Sequence, residues 1–215
     1  MSTEIVKVME NIYAENDRIS DSIRKDLSSR GIYTINVMGS PGSGKTSSLI
    51  NIIKGLSGIK SYVIEGDIES DIDTKKLKEL GIETVQINTG GECHLEAIEI
   101  QKSLSGLGLP GKGVLYIENI GNLVCPAEFN IGEDIKMLIS TVAEGDDKPY
   151  KYPLAFQKAG IILLNKIDLL PHVDFDRDYY FKGIKALNPD APIFQVSSKT
   201  GEGFAEVCAW IKAKL

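Results

Sequence analysis

Gly39-Ser40-Pro41-Gly42-Ser43-Gly44-Lys45-Thr46 decides the fold. The octapeptide follows an apolar run, Ile32 to Met38, and precedes a stretch of helical periodicity. It therefore matches the pattern G-x-x-x-x-G-K-S/T in its proper setting between a strand and a helix. Glycines let such a loop wrap so that backbone N–H groups and the helix N-terminus face phosphate oxygens. Gly39, Gly42, Ser43 and Gly44 then form the cradle, and Lys45 holds the β- and γ-phosphates. Thr46 offers its hydroxyl oxygen to Mg²⁺, a hard ion that prefers oxygen ligands, and Ser47 belongs to the same nucleotide-binding set.

Outward from this loop the chain repeats short apolar runs separated by helical patterns. The runs are Ile32–Met38, Tyr62–Ile64, Thr84–Ile87, Val114–Ile117, Met137–Val142, Ile161–Leu164 and Ile193–Val196. Helical periodicity covers about 46–56, 73–80, 94–105, 174–187 and 203–214. Strand followed by helix, repeated, predicts an α/β P-loop NTPase with a mostly parallel, doubly wound sheet and ligands at the carboxyl ends of its strands. Upstream, Ile5, Val8, Met9, Ile12, Ile19, Ile23 and Leu27 recur with a helical period that Gly31 ends. The expected organisation is a helical extension over residues 1–30 and one P-loop domain over 31–215.

Composition excludes other classes. With 24 basic and 30 acidic residues the net charge is −6, so a basic nucleic-acid-binding stripe is not expected. No apolar run approaches the roughly 18 residues of a membrane span, and the N-terminus mixes charge with apolar residues; a cytoplasmic, unprocessed chain is expected. Three cysteines, Cys93, Cys125 and Cys208, are too few and odd in number for a disulfide framework.

The base is predicted by Asn165-Lys166-Ile167-Asp168, which follows an apolar run and fits the N-K-x-D pattern of GTP-binding proteins. A carboxylate at Asp168 accepts two hydrogen bonds from guanine N1–H and its 2-amino group, a pair that adenine lacks. Lys166 is expected along the base, and Asn165 ties the loop to the phosphate-binding turn. Ser197-Ser198-Lys199 supplies a backbone N–H for the guanine oxygen. Asp67 and Glu118, both at strand ends, complete the catalytic set with Lys45. Either acid can hold Mg²⁺ or orient the attacking water, or be a solvated loop acid; Asp67 is assigned to water and Mg²⁺, Glu118 to Mg²⁺ and coupling. No glutamine or arginine finger is evident, so slow intrinsic hydrolysis and a switch-like role are expected.

Cys93 and His94 follow the third run, and Cys125 follows the fourth, which brings all three to one edge of the sheet. Two thiols and an imidazole suit Zn²⁺ or Ni²⁺ and are poor ligands for Mg²⁺. Cys93 is further predicted to open a helix, where the dipole favours thiolate. Spacing alone leaves buried or idle thiols as the alternative. Cys208 reads as core, and His172 as a solvent-facing turn residue.

Taken in order, Gly39–Thr46, Asn88-Thr-Gly-Gly-Glu-Cys-His-Leu95, Glu118-Asn-Ile-Gly-Asn-Leu-Val-Cys-Pro126, Glu144-Gly-Asp-Asp-Lys-Pro149 and Asn165–Asp168 resemble the motifs of HypB, the nickel-inserting GTPases of nickel-iron hydrogenase maturation. The resemblance spans about residues 30–205, and its Glu-Cys-His and Leu-Val-Cys-Pro strings are the specific part. It implies the dimerising, signal-recognition-like class of P-loop GTPases, with GTP/GDP and Mg²⁺ binding. It also implies a metal site for Ni²⁺ or Zn²⁺ at Cys93, His94 and Cys125, and a homodimer promoted by nucleotide and metal. The partners it implies are a hydrogenase large-subunit precursor and a zinc-binding accessory protein. Residues 1–92 hold no cysteine or histidine, so the N-terminal nickel sites of some members are missing. Ser40 and Pro41 stand where some relatives carry a second loop lysine, for which Lys148 is a candidate substitute. Two alternatives remain open: a GTPase maturing another nickel enzyme, urease above all, and a metal-binding scaffold whose nucleotide only sets its oligomeric state.

Overall fold

A left-handed glycine, Gly31 at φ 71°, separates the first helix from the first strand and turns the chain into the sheet. The computed structural model describes residues 3–66 and 77–215, with side chains from Tyr13 onward. Its elements are α1 (Thr3–Ser29), β1 (Ile32–Gly39), α2 (Lys45–Gly55), β2 (Lys60–Glu65), β3 (Glu83–Gln86), α3 (Ala97–Leu104), β4 (Gly113–Glu118) and α4 (Cys125–Glu128). There follow β5 (Ile135–Thr141), α5 (Lys148–Lys151), α6 (Pro153–Lys158), β6 (Ile161–Asn165), α7 (Arg177–Leu187), β7 (Ile193–Gln195) and α8 (Phe204–Lys212).

All seven strands pair in parallel in the order β3-β2-β4-β1-β5-β6-β7. The central strands are apolar on both faces because helices cover both. On one face α2 and α8 pack Leu49, Ile52, Phe204, Val207 and Ile211 against Ile35, Val37, Tyr116 and Met137. On the other face, Ile23 and Leu27 of α1 and Ile100 of α3 meet Tyr62, Ile64, Leu115 and Ile117. Further along this second face Phe156, Tyr180 and Ile184 of α6 and α7 cover Met38, Leu138, Ile162 and Leu164. The phosphate loop leaves β1 at the centre, where the strand order reverses and α/β sheets open a crevice.

From Tyr13 onward α1 is docked through Asn16, Ser20, Ile23 and Leu27, spaced four, three and four, its buried residues among those described. Close approach is possible because Gly132, at φ 100°, has no side chain; a Cβ there would sit 2.4 Å from Ile23 Cγ2.

Two differences from the sequence expectation have local causes. The helix predicted over 94–105 begins at Ala97, because Glu96 and Glu99 form a capping box, with Glu96 N donating to Glu99 Oε2 at 2.9 Å. Cys93 therefore lies in the preceding turn and does not open a helix. Residues 143–158, which fall in none of the apolar runs or helical periods, complete a 3₁₀ turn begun at Val142 and form α5 and α6, each too short to show a period. Of the helix predicted at 73–80, residues 77–79 are helical and 73–76 lie outside the described residues.

Candidate nucleotide and metal site

The phosphate loop is shaped by contacts only glycine permits. At Gly39 a Cβ would lie 2.6 Å from the Ile139 carbonyl oxygen, and at Gly44, φ 93°, 2.5 Å from Asn165 Nδ2. Gly44 caps α2, whose first residue Lys45 is buried and donates from Nζ to the Ser40 carbonyl at 3.4 Å. Thr46 Oγ1 donates to Glu118 Oε1 at 2.8 Å, joining α2 to the end of β4. A hydroxyl and a carboxylate held this close are oxygen donors of the kind that would hold a hard divalent ion such as Mg²⁺. Ser43 Oγ is buried with no hydrogen-bond partner among the described residues, as befits a group aimed into an anion cradle. Asp67 lies outside the described residues.

Beyond the cradle a pocket of about 360 Å³ is lined by Gly44, Ser47, Asn165, Lys166, Asp168, Leu169, Ser198 and Lys199. Asn165 is fully buried: Nδ2 donates to the Ser43 carbonyl at 2.9 Å, while Oδ1 accepts from Lys166 N at 2.7 Å and from Ser198 N and Oγ at 3.0 Å. Lys166 adopts φ 61° and donates from Nζ to the Gly42 carbonyl at 2.7 Å, so its side chain bridges pocket and phosphate loop. Asp168 Oδ1 accepts from Ser197 Oγ at 2.6 Å, which orients the carboxylate. Ser48 Oγ lies 2.9 Å from Ser198 Oγ and Asn51 Nδ2 donates to the Ser198 carbonyl at 3.0 Å, fastening the loop after β7 to α2.

Cys93, His94 and Cys125 bring their ligand atoms within 4.8 Å of one another. Bonds of roughly 2.3 Å to sulfur and 2.0 Å to nitrogen put the ligands of one tetrahedral ion about 3.5–3.8 Å apart, so the set needs closure of about 1 Å at its widest pair to hold one. His94 Nδ1 lies 3.3 Å from Cys93 Sγ, and Nε2 is buried without a protein partner among the described residues. The His94 ring stacks on Phe129 at 4.1 Å, and Phe129 stacks on Tyr13 of α1 at 5.1 Å. Asn122 joins the segments, donating to the Cys93 carbonyl at 3.2 Å and accepting from Val124 N at 2.8 Å. It is Cys125, not Cys93, that begins a helix, and this helix has one turn. The Cys125 thiol is nevertheless pushed up in pKa, first by the neighbouring Cys93 thiol, then by burial, with the Cys93 and Glu128 charges adding; an Asn122 hydrogen bond opposes them.

Cys208 is buried in α8 against Ile52, and His172 is exposed. Lys148 Nζ sits 4.9 Å from the Tyr152 ring centre. Sequence reading missed Asn16, Asn36, Asn119, Phe129, Glu133 and Lys136, which tie these loops together. Asn36, with Thr34, inside a run of apolar residues was the available signal.

The family model for the CobW/HypB/UreG nucleotide-binding domain matches residues 33–195. Hydrogenase maturation factor HypB of Azotobacter vinelandii is 42% identical over 211 residues, covering 98% of this chain and 70% of that protein. Hydrogenase/urease maturation factor HypB of Helicobacter pylori is 37% identical, over 93% of this chain and 84% of that protein. The crystal structure of Helicobacter pylori HypB in complex with nickel superposes with a TM-score of 0.88 at 35% identity, over 93% of this chain and 94% of that one. The signal recognition particle receptor FtsY of Elizabethkingia anophelis shares the fold, with a TM-score of 0.55 at 14% identity, over 94% of this chain and 78% of that one.

Proposed function

Because the chain belongs to the CobW/HypB/UreG nucleotide-binding family, among the hydrogenase maturation factors HypB, we propose that it is a GTP-hydrolysing switch. In this reading it takes a nickel ion at Cys93, His94 and Cys125 and releases it to a hydrogenase large-subunit precursor, with a zinc-binding accessory protein as partner. One observation carries the reading: the segment leaving β4 touches both sites. Glu118 accepts the Thr46 hydroxyl at the phosphate loop, and Cys125, seven residues on, meets Cys93 and His94.

The chemistry follows from charge placement. Loop N–H groups of Gly42 to Thr46 and the Lys45 ammonium face the transferring phosphoryl group, whose charge they stabilise. Mg²⁺, when bound at Thr46 and Glu118, neutralises charge on the β- and γ-phosphates. Asp67 orients the attacking water, whose oxygen bonds to the γ-phosphorus as the bond to the GDP oxygen breaks. With no arginine finger turnover is slow, which suits a timer. Guanine is selected at Asp168, with Asn165, Lys166, Ser197, Ser198 and Lys199 shaping its pocket. Loss of the γ-phosphate relaxes Glu118 and the segment to Cys125, and metal affinity changes with it; by linkage, metal changes nucleotide affinity by the same factor. Zn²⁺ fits the same soft donor set.

Calorimetry with Ni²⁺ and Zn²⁺, in GDP and in a non-hydrolysable GTP analogue, tests this. Binding should vanish in Cys93→Ala and Cys125→Ala and differ between nucleotides in the wild type. Binding indifferent to both cysteines would sink the assignment. A homodimer promoted by nucleotide and metal belongs to the same proposal, and light scattering with both present should return the mass of two chains. A second reading, service to urease, is favoured by the name of the Helicobacter pylori relative. The precursor that this chain activates in a deletion strain decides between them.

A further inference from the structure

We propose that Asn36, Asn119, Glu133 and Lys136 form a buried polar rod that positions the two metal-ligand segments and transmits displacement of Glu118 to them. The proposal rests on Cys93, His94 and Cys125 being the metal site.

The rod is continuous. Lys136 Nζ pairs with Glu133 Oε1 at 2.7 Å, and that oxygen accepts from Asn36 Nδ2 at 3.2 Å. Asn36 Oδ1 in turn accepts from Asn119 Nδ2 at 3.2 Å. Both ends grip ligand-bearing chain. Asn119 Oδ1 accepts from the backbone N–H of Leu95, the residue after His94, at 3.2 Å, and from Ile120 N at 2.9 Å. Lys136 Nζ donates to the carbonyls of Pro126, the residue after Cys125, and of Phe129, whose ring stacks on His94.

Stability alone does not explain such a feature. Asn36, Asn119, Glu133 and Lys136 are 0%, 1%, 6% and 7% exposed. A buried ion pair generally gives no more stability than apolar side chains of equal volume. Hydrogen bonds, unlike apolar contacts, fix direction and distance, and a chain of them relays a shift from one end to the other. Asn36 stands on β1 with Thr34 between Ile32, packed with α1 and α3, and Met38, packed with α6 and α7, so the two polar residues interrupt an apolar face.

The link to the nucleotide is covalent at one point. Asn119 is the residue after Glu118, and its N–H donates to the Val37 carbonyl at 3.0 Å. Any movement of Glu118 that follows Thr46 therefore pulls on Asn119, and Asn119 holds Leu95. The far arm carries the same strain through Asn36 and Glu133 to the segment of Cys125.

The test uses the full chain. Ni²⁺ affinity and the nickel–thiolate charge-transfer absorption are measured with GDP and with a non-hydrolysable GTP analogue. In the wild type the two affinities should differ by about 5- to 150-fold, the usual range for coupled sites. Asn36→Ala cuts the rod in the middle and leaves both ends gripped. It should still bind Ni²⁺ with the same absorption, while the affinity ratio falls by at least about half, the remainder being carried by the direct arm from Asn119 to Leu95. A merely structural role would lower the melting temperature and leave that ratio intact, and an intact ratio overturns the relay, as does a wild-type ratio of one. The double variant Glu133→Gln/Lys136→Met removes both charges together and so leaves no orphaned ion. It should weaken Ni²⁺ in both nucleotide states and shift the absorption; wild-type values there overturn the positioning role. If Cys93→Ala binds Ni²⁺ like the wild type, the metal assignment itself fails. If the cysteines bind while both rod variants match the wild type, the rod alone fails.

Discussion

Asp168 shows how much a single residue decides. Its carboxylate, oriented by the Ser197 hydroxyl at 2.6 Å, is an acceptor only, so in the function proposed it pairs with a base edge that offers donors. Asp168→Asn puts an NH₂ donor against the guanine 2-amino group and should weaken GTP by about 10- to 100-fold, the cost of an unpaired buried donor. The same variant should gain affinity for xanthosine triphosphate, which carries an oxygen at that position; calorimetry with both nucleotides checks this, and unchanged GTP affinity would count against the pocket. The type and spacing of Lys45, Asn165 and Asp168 were legible because phosphate and base recognition need fixed chemistry at fixed offsets from strand ends. The Cys125 proton affinity was not, because it depends on Cys93 lying beside it, 32 positions away in the chain.

At the scale of elements, α1 is the clearest case of an amphipathic period whose partners the period could not name. Asn16 on its buried stripe bridges two segments, donating to the Asn130 carbonyl at 2.8 Å and accepting from Ala97 N at 3.0 Å. Asn16→Ala leaves both groups unpaired, and urea denaturation should show a loss of about 1–3 kcal/mol. A loss below the error of the measurement would mean that α1 is held by its apolar stripe alone. The seven strands stood where the apolar runs placed them, since central parallel strands covered on both faces are mostly apolar. The one-turn helices α4 and α5 escaped notice because four residues contain no period. The start of α3 turned on a pair of glutamates whose mutual bonds are local, so the capping pattern Glu96 to Glu99 was the readable signal there.

For the molecule as a whole, burial of two phenols sets an alkaline limit. Tyr116 and Tyr180 are fully buried, and burial is the first cause of their raised pKa values. The unfolded chain loses these protons near the ordinary pH of about 10, before the folded chain does, so their contribution is intact below that pH and falls as pH rises through it. Urea midpoints between pH 8 and 11 should be level and then drop, together with phenolate absorption; a flat profile would mean the rings ionise in place. By itself the sequence determined the parallel α/β class, the phosphate loop, the guanine motif and the soft donor types, because each is written in local pattern and strand-to-helix order. Only tertiary structure decided that Cys125 closes on Cys93 and His94, that α1 clasps both ligand segments, and that Asn36, Asn119, Glu133 and Lys136 meet in one line. The physical reason is that a buried polar contact needs partners from separate strands and loops, and chain distance carries no record of which ones the sheet order will bring within 3 Å.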